Sequence, residues 1–243
     1  MDDFSQLQLH IQDGIATLTL DNPPVNALSR TLNDELTMAL DRLSDIDEAH
    51  VVVLTGAGKV FCAGADLKRR AENTAGLGGL IAHSRRTREC FHAIRECAKP
   101  VIAAINGPAL GAGLAIAASC DILLACEKTV LGLPEIDVGA MGGGRHAMRL
   151  FGHSRTRRMM LTGERVPGAE LYRLGIVEAC TAPEDLLPAA LALAATIASK
   201  RPAATRLAKH TLNTIEDMSL RDGYRYEQDM TAILAKGGDT RAT

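Results

Sequence analysis

Two short glycine-containing turns in this sequence have the composition of backbone sites that hold a developing negative charge. One is Phe61–Leu67, which follows a continuous apolar stretch, and the other is Gly111–Gly113, which opens an apolar helical segment. Small residues let a ligand approach the main chain closely, and free N–H groups at the start of a helix favour an oxyanion. Two such donors that converge would stabilise a thioester enolate. Tight packing alone would also account for these glycines, and their spacing does not separate the two interpretations.

Several better-known catalytic patterns are missing from the sequence. It has no Gly-x-Ser-x-Gly elbow, no His-Glu-x-x-His pair and no phosphate-binding loop ending in Gly-Lys-Ser/Thr. The cysteines form no Cys-x-x-Cys pair and no two histidines have zinc spacing, so no metal site is expected. Gly111–Ala115 weakly imitates a dinucleotide fingerprint. The break at Asn106–Pro108 and the lack of a strand-end acid about 20 residues further on argue against that interpretation.

The elements predicted around these turns alternate between strands and helices. A hairpin is expected over residues 7–20, and Ser29 has the side chain of an N-cap for the helix that follows. Gly76–Gly79 is interpreted as a flexible stretch before a helix over residues 80–97. Three continuous apolar strands, typical of a buried parallel sheet, are predicted at residues 51–55, 101–105 and 122–125.

From about Arg145 onward the sequence predicts helices, interrupted by one short strand over Val177–Cys180. This shift suggests an α/β core over residues 1–185 followed by a helical C-terminal region over residues 186–243. The predicted helices of this part of the chain cover residues 147–151, 155–161, 169–174, 186–199, 203–214 and 220–234.

Length and composition indicate an ordinary globular protein. The chain has 243 residues, 47% of them hydrophobic, and a formal net charge of -2. A near-neutral charge argues against a protein that mainly coats nucleic acid, and 3% aromatic residues argue against a base-stacking surface. The acidic N-terminus lacks the basic and apolar regions of a signal peptide, and no apolar run reaches the roughly 18 residues of a membrane span. A cytoplasmic protein is therefore expected.

Six segments of the chain carry motifs that recur in the same order in one known family. They are residues 22–28, 61–67, 99–113, 120–122, 133–136 and 161–164, which read NPPVNAL, FCAGADL, KPVIAAINGPALGAG, CDI, LPEI and LTGE. On these motifs the chain resembles the enoyl-CoA hydratase/isomerase (crotonase) superfamily along essentially its whole length. The resemblance implies an α/β fold, a crotonase-like spiral of β-β-α units, with a helical C-terminal region that builds trimers, often stacked as hexamers. Family members usually continue further, so this C-terminal region is expected to be short.

The resemblance also implies a backbone oxyanion hole for an acyl-CoA thioester. The N–H groups of Ala65 and Ala112 match its two donors, and the turn over Ala63–Leu67 resembles the segment that binds adenine. The main chain of Val25 resembles a position along the path of coenzyme A. No separate cofactor is expected, because the substrate itself carries coenzyme A. The substrate-binding residues implied in this way are Val25, Ala63, Ala65, Asp66, Leu67, Gly111 and Ala112.

Hydratases of this family use two glutamates, and this sequence keeps one of them. Glu135 matches the second glutamate, but Ala115 stands where the first is expected, two residues after Gly113. Hydration needs one carboxylate to hold and deprotonate water and another to manage the α-proton, whereas one glutamate suffices to move a proton between two carbons of an enolate. Asp137 and His146, on either side of a glycine-rich turn, are auxiliary acid–base candidates, although a lone histidine is more often structural.

These residues favour double-bond isomerisation of an enoyl-CoA, with Glu135 as the proton-transfer group. The nearest alternative is 2-enoyl-CoA hydration, with Asp137, His146 or a fixed water in place of the missing acid. The loss of one glutamate also leaves open a non-catalytic crotonase-fold oligomer that binds acyl-CoA, and a dinucleotide enzyme is the third class. The expected partners are an acyl-CoA thioester and further copies of this chain, with no membrane and with nucleic acid disfavoured.

A basic stretch of five arginines precedes and follows the glycine-rich residues 76–79. A solvated helix face is the plainest interpretation, and contact with the phosphates of coenzyme A is the functional alternative. RNA binding has the least support because the whole chain is nearly neutral. The residues concerned are Arg69, Arg70, Arg85, Arg86 and Arg88.

Overall fold

The computed structural model describes residues 4–66 and 76–237, and a six-stranded sheet lies at its centre. The predicted hairpin is confirmed, because its two strands pair antiparallel. The three continuous apolar runs form parallel strands as predicted, and a short strand at the edge is also parallel to its neighbour. In spatial order the strands of this sheet are β1 (Leu7–Gln12), β2 (Ile15–Leu20), β3 (Val51–Gly56), β4 (Val101–Ile105), β6 (Ile122–Cys126) and β9 (Cys180–Thr181).

A second, three-stranded sheet was not predicted from the sequence. It consists of β5 (Pro108–Leu110), β7 (Val130–Gly132) and β8 (Arg165–Pro167), each only three residues long. Such short strands leave no periodic pattern in a sequence, and here they exist because β7 pairs with a strand on each side. This small sheet matters for function because β5 leads directly into the Gly111 turn.

Nine helices of the described residues surround the sheets. The predicted N-cap of the first is confirmed, because Ser29 Oγ accepts a hydrogen bond of 3.0 Å from the N–H of Leu32. The helices are α1 (Arg30–Asp45), α2 (Gly76–Glu96), α3 (Ala112–Ser119), α4 (Gly144–Leu150), α5 (His153–Thr162), α6 (Gly168–Arg173), α7 (Leu186–Ala198), α8 (Pro202–Ile215) and α9 (Leu220–Ala235).

Alternate residues of the central strands face two different cores. In β3, Val52 and Leu54 join the larger core together with α1, α2 and α3, while Val51 and Val53 join the smaller core with α7. A strand buried on both faces must be apolar throughout, which explains why no polar alternation is visible in its sequence. The sheet is therefore a rigid layer, and α2 and α3 lie together on the side where the candidate site forms.

Two sequence predictions for individual elements were wrong. Gly76–Gly79 is helical, since α2 begins at Gly76. Extending an existing helix costs much less free energy than nucleating a new one, so the glycines join the helix that follows them. The strand predicted over Val177–Cys180 is confined to Cys180–Thr181, where the chain pairs with the end of β6. The other predicted helices of the C-terminal part are present with ends shifted by a few residues.

A buried cation fixes the C-terminal helices to the rest of the molecule. Lys209 of α8 is 6% exposed, and its Nζ donates hydrogen bonds to the carbonyls of Ile94 at 3.1 Å and Lys99 at 3.0 Å. The same ammonium forms an ion pair of 2.9 Å with Asp121. A buried ammonium needs such partners to offset its lost hydration, so these contacts hold α8 beside the C-terminal end of α2. Over the described ranges, no helix combines the length and the apolar character that crossing a membrane requires.

Candidate active site

The turn that follows β3 is held so that one backbone N–H stays free. The N–H of Leu28 donates to the carbonyl of Gly64 at 2.8 Å, and the N–H of Asp66 donates to the carbonyl of Leu28 at 3.3 Å. These bonds leave Ala65 between two paired residues, and its own N–H has no partner among the described residues. Gly64 has a φ of +107°, a conformation that only glycine adopts without strain.

The second turn places another free N–H at the start of a buried helix. The N–H of Gly111 donates to the carbonyl of Gly132 at 2.9 Å, which anchors the turn to β7. Ala112 is the first residue of α3, and its N–H finds no acceptor within the described part of the chain. The N-terminal end of a helix carries a partial positive charge, so this position favours an anion.

Close backbone packing brings the two turns together. The N–H of Leu110 donates to the carbonyl of Cys62 at 3.0 Å, and a Cβ atom on Gly113 would overlap that same Cys62 carbonyl. A Cβ atom on Gly64 would lie 3.0 Å from the carbonyl oxygen of Leu110 and 3.9 Å from the nitrogen of Ala112. The glycines therefore do pack tightly, and the effect of that packing is to place the free N–H groups of Ala65 and Ala112 on one cavity.

That cavity has a volume of about 630 Å³, which is within the usual range for sites that bind small molecules. Among the described residues, Val25 and Asp66 do not line this cavity. The carbonyl of Val25 accepts a hydrogen bond of 3.1 Å from the N–H of Ala63 instead. Leu67 lies outside the described residues. The candidate residues that do line the cavity are Ala63, Ala65, Gly111, Ala112, Ala115, Glu135, Asp137 and His146.

Glu135 holds its carboxyl group directly over the Gly111 turn. It lies in a short 3-10 helix, Pro134–Val138, that follows β7 and ends at Gly139. A Cβ atom on Gly111 would overlap Glu135 Oε1, so the carboxyl group occupies space that only glycine leaves open. Its other oxygen, Oε2, is buried and has no hydrogen-bond partner within the described ranges. Burial raises the pKa of Glu135 above its ordinary value, which suits a group that must both accept and return a proton.

Ala115 lines the same cavity as Glu135 and brings no carboxylate to it. It lies one turn along α3 from Ala112 and is 1% exposed. Its N–H is used within the helix, where it donates to the carbonyl of Gly111 at 3.1 Å. A methyl group at this position can neither hold water nor move a proton, as the sequence indicated.

The two auxiliary candidates differ in their surroundings. Asp137 is exposed on the rim, where a Cβ atom on Gly163 would lie 2.9 Å from its Oδ1. His146, in α4, stacks edge-on against the ring of Phe91 with the ring centroids 4.9 Å apart. Burial, with Arg149, His92 and Arg145 nearby, lowers the pKa of His146 and keeps its imidazole neutral near pH 7.

The side of the cavity formed by α2 was missed by the sequence analysis, apart from Arg88. The sequence does carry one signal for this side: the helical spacing of Ser84, Thr87 and Phe91 places these three residues on one face of α2. Sequence alone could have shown that they share a face, but not that the face borders a cavity. The lining residues that no motif indicated are His83, Ser84, Thr87, Phe91, His92, Val138, Met141 and Arg165.

The predicted basic stretch does not form a single surface. Arg86 makes an ion pair of 2.9 Å with Asp34 of α1, and Arg85 lies in the same groove between α1 and α2. Arg88 lies on the cavity side of α2 instead. Arg69 and Arg70 fall outside the described residues. The solvated-face interpretation therefore fits Arg85 and Arg86, while Arg88 remains a candidate for contact with a ligand.

Comparisons with known proteins agree over nearly the whole chain. A family model described as Enoyl-CoA hydratase/isomerase matches residues 10–241. The chain is 35% identical, over 93% of its length and 87% of the relative's, to a (7aS)-7a-methyl-1,5-dioxo-2,3,5,6,7,7a-hexahydro-1H-indene-carboxyl-CoA hydrolase of Rhodococcus jostii. It is 34% identical to the 2,3-dehydroadipyl-CoA hydratase of Escherichia coli, over 97% of this chain and 92% of the relative.

Two solved structures show the same similarity in three dimensions. The structure of Pseudomonas aeruginosa DspI superposes with a TM-score of 0.91 at 32% identity, covering 98% of each chain. An enoyl-CoA hydratase from Bacillus anthracis superposes with a TM-score of 0.88 at 32% identity, covering 94% of this chain and 90% of the other. The similarity therefore extends through the C-terminal helices as well as the sheets.

Proposed function

The chain belongs to the enoyl-CoA hydratase/isomerase family, and we propose that it isomerises the double bond of an enoyl-CoA thioester, using Glu135 as its proton-transfer group. The observation that carries this proposal is the carboxyl group of Glu135, which has a buried, unpartnered oxygen over the Gly111 turn. The free N–H groups of Ala65 and Ala112 line the same cavity. One proton carrier and two anion-stabilising donors are the parts that this reaction needs.

The proposed reaction moves a proton from C2 to C4 of a 3-enoyl-CoA. Glu135 removes the proton from C2, and the electron pair of that C–H bond moves into the thioester carbonyl, so that a dienolate forms. The N–H groups of Ala65 and Ala112 hold its oxyanion. The carboxylic acid then returns the proton to C4, which leaves the double bond between C2 and C3. Because the step transfers one proton and no net electrons, it balances without a further cofactor.

Isomerisation fits this lining better than hydration does. A hydratase must activate a water molecule as well as manage the α-proton, and Ala115 removes the carboxylate that would share this work. Asp137 is exposed on the rim, and the imidazole of His146 is packed against Phe91. Hydration with one of these groups as the substitute acid is the alternative.

The names of relatives favour one further alternative, which is hydrolysis. The Rhodococcus jostii relative, like one from Mycobacterium tuberculosis, is named a hydrolase of a bicyclic dioxo carboxyl-CoA. An enolate held by the same two N–H groups would also be the leaving group when water cleaves a carbon–carbon bond next to a ketone. A non-catalytic protein has less support, because a buried carboxylate oxygen without a partner costs stability without structural benefit.

A panel of thioesters separates these reactions. The purified protein is incubated with 3-enoyl-CoA, 2-enoyl-CoA and 1,3-dioxo acyl-CoA substrates, and the products are identified by mass and chromatography. Isomerisation leaves the mass of the 3-enoyl-CoA unchanged and shifts its double bond. Addition of one water to the 2-enoyl-CoA would instead establish hydration. Cleavage of the dioxo compound into two products whose masses together equal the substrate plus one water would establish hydrolysis. Binding of every thioester without conversion would contradict all three enzyme assignments.

Restoring the absent carboxylate is expected to increase hydration. In Ala115→Glu the new side chain starts one turn from the helix N-terminus and faces the cavity that Glu135 also lines, so a water between them could be activated. We expect hydration of a 2-enoyl-CoA to rise at least ~10-fold, a modest part of the usual effect of a general base. Ala115→Gln is the matched control, because it adds similar bulk without a base. Equal hydration rates in the folded Glu and Gln variants would show that this position does not limit the chemistry.

We also propose that the chain assembles as a trimer or as two stacked trimers, as the resemblance implied. Large apolar side chains are strongly exposed on α5, α8 and α9, with Leu161 70%, Leu212 65% and Leu220 91% exposed. Large apolar side chains exposed to this degree are available for contact with another protein chain. Sedimentation at micromolar concentration is expected to give three times the chain mass, or six times. A single species of 25.8 kDa would contradict the proposal.

A further inference from the structure

One wall of the cavity is formed by rings rather than by aliphatic side chains. It consists of Phe91 and His92 from α2 and His146 from α4, and these three residues are here called the imidazole wall. Both α2 and α4 pack against α3, the helix that carries Ala112 and Ala115. Since Ala115 lies about 4.5 Å further along α3 than Ala112, an acyl chain whose carbonyl is held at Ala112 can run past Ala115 towards this wall.

The two imidazoles of this wall make no hydrogen bonds to the described part of the chain. His146 touches Phe91 ring to ring, a contact that fixes the plane of the imidazole but uses neither of its nitrogens. His92 lies one residue from Phe91 and borders the same cavity. A neutral imidazole offers one N–H donor and one acceptor nitrogen, and burial helps to keep His146 in that neutral form. The wall therefore presents unused donors to whatever fills the cavity.

A purely aliphatic chain would be a poor occupant of this wall. It would displace water from the nitrogens of half-buried His146, and from those of exposed His92 where the chain covers them, and give them no partner, which weakens binding. An oxygen of the ligand would accept their hydrogen bonds instead. The guanidinium groups of Arg145 and Arg149 near His146 further favour an electron-rich oxygen over a cationic group. Sites built to hydrogen-bond a polar group discriminate strongly against analogues that lack it.

We propose that His92 and His146 select acyl-CoA ligands whose acyl group carries a second oxygen acceptor, a keto or carboxylate oxygen, beyond the thioester. This inference rests on the proposed function only for the position of the thioester at Ala65 and Ala112. It assigns the imidazole wall a role in specificity and no role in proton transfer. A straight, methyl-ended fatty acyl group is thus the disfavoured ligand.

Binding of saturated acyl-CoA compounds tests the inference independently of catalysis, because a saturated chain has no double bond to move. Three ligands are compared at acyl lengths of six, eight and ten carbons: one ending in a methyl group, one ending in a carboxylate, and one with a single keto oxygen near the end. Dissociation constants are measured by calorimetry with the parent protein and with His92→Leu and His146→Phe. The His146→Phe change keeps an aromatic ring against Phe91 and removes both nitrogens. His10→Phe, on the exposed face of β1, is the control.

The parent protein is expected to bind at least one oxygenated ligand ~10-fold more tightly than the methyl-ended ligand of the same length, which corresponds to about 1.4 kcal/mol. In His146→Phe this preference is expected to shrink several-fold while methyl-ended binding holds or improves, and His10→Phe keeps the parent's preference. The relative affinity of the carboxylate and keto ligands identifies which oxygen the wall prefers.

Equal affinities for all three ligand types at every length would overturn the inference, and so would a uniform loss of affinity for all three in His146→Phe. These results are distinguishable from failure of the proposed reaction. If the protein prefers oxygenated ligands but does not isomerise any enoyl-CoA, the inference about the imidazole wall is supported and the proposed reaction is contradicted.

Discussion

Replacement of Glu135 by glutamine is expected to lower turnover by ~100-fold or more, the range found when a general base is removed. Glutamine keeps the shape of the side chain over Gly111 but cannot accept the proton from C2. Binding of a saturated acyl-CoA is expected to change little, because that ligand does not use the base. Steady-state kinetics of the parent and Glu135→Gln, together with their acyl-CoA dissociation constants, make the comparison. Turnover close to that of the parent would remove Glu135 from the mechanism.

The pH dependence of the same reaction provides a second readout. Burial raises the pKa of Glu135, and the deprotonated form is the one that accepts the proton. The value of kcat/KM is therefore expected to fall on acidification, with its midpoint above the pH at which an ordinary glutamate titrates. Glu184, which is exposed and does not line the cavity, provides the control variant Glu184→Gln. Glu184→Gln should show the same pH dependence of kcat/KM and the same turnover as the parent.

Glu135→Gln is also expected to unfold at a higher temperature than the parent at neutral pH. A buried carboxylate whose pKa is raised in the folded state costs stability when it is ionised. This cost is present above the raised pKa and disappears as the pH falls below the ordinary value. The difference in unfolding temperature is therefore expected to shrink on acidification. A gain in stability together with a loss of activity is typical of a functional group held in an unfavourable environment.

A single methyl group on Gly113 is expected to disrupt the proposed oxyanion hole. In Gly113→Ala the new Cβ atom would overlap the carbonyl oxygen of Cys62, which is buried backbone and cannot rotate away. The Ala63–Ala65 turn and the start of α3 must then move apart, which separates the two N–H groups that the proposed oxyanion hole needs close together. We expect turnover to fall by ~10²–10³, the effect of losing one oxyanion donor, and stability to fall by about 1–3 kcal/mol.

The matched control for this variant is Gly152→Ala. Gly152 precedes α5 with a φ of -65°, and a Cβ atom there would meet no atom within 4 Å. It should fold and react as the parent does. Unfolding temperature and acyl-CoA affinity of Gly113→Ala separate a loss of fold from a loss of chemistry. If the folded Gly113→Ala protein turns over at the parent rate, the two turns do not form the site of the oxyanion.

Much of the fold was set by local patterns that are legible in the sequence. The hairpin, the N-cap at Ser29 and the apolar strands β3, β4 and β6 depend on turn chemistry, on a capping side chain and on unbroken runs of buried residues. The motifs indicated the family, and the family implied the crotonase-like α/β fold and the C-terminal helical region. The comparisons confirm the family and the fold. The motifs also brought Ala65, Ala112 and Glu135 together as candidates.

Tertiary structure alone decided the features that make these candidates a site. The free N–H of Ala65 exists because Leu28 binds the residues on either side of it, and the buried oxygen of Glu135 exists because Gly111 leaves room for the carboxyl group. The strands β5, β7 and β8 form only by pairing with one another. His92 and His146 come from helices separated by about 50 residues and meet through the packing of both helices on α3. Periodicity records which residues share one face of an element, whereas the surroundings of that face depend on contacts between elements far apart in the chain.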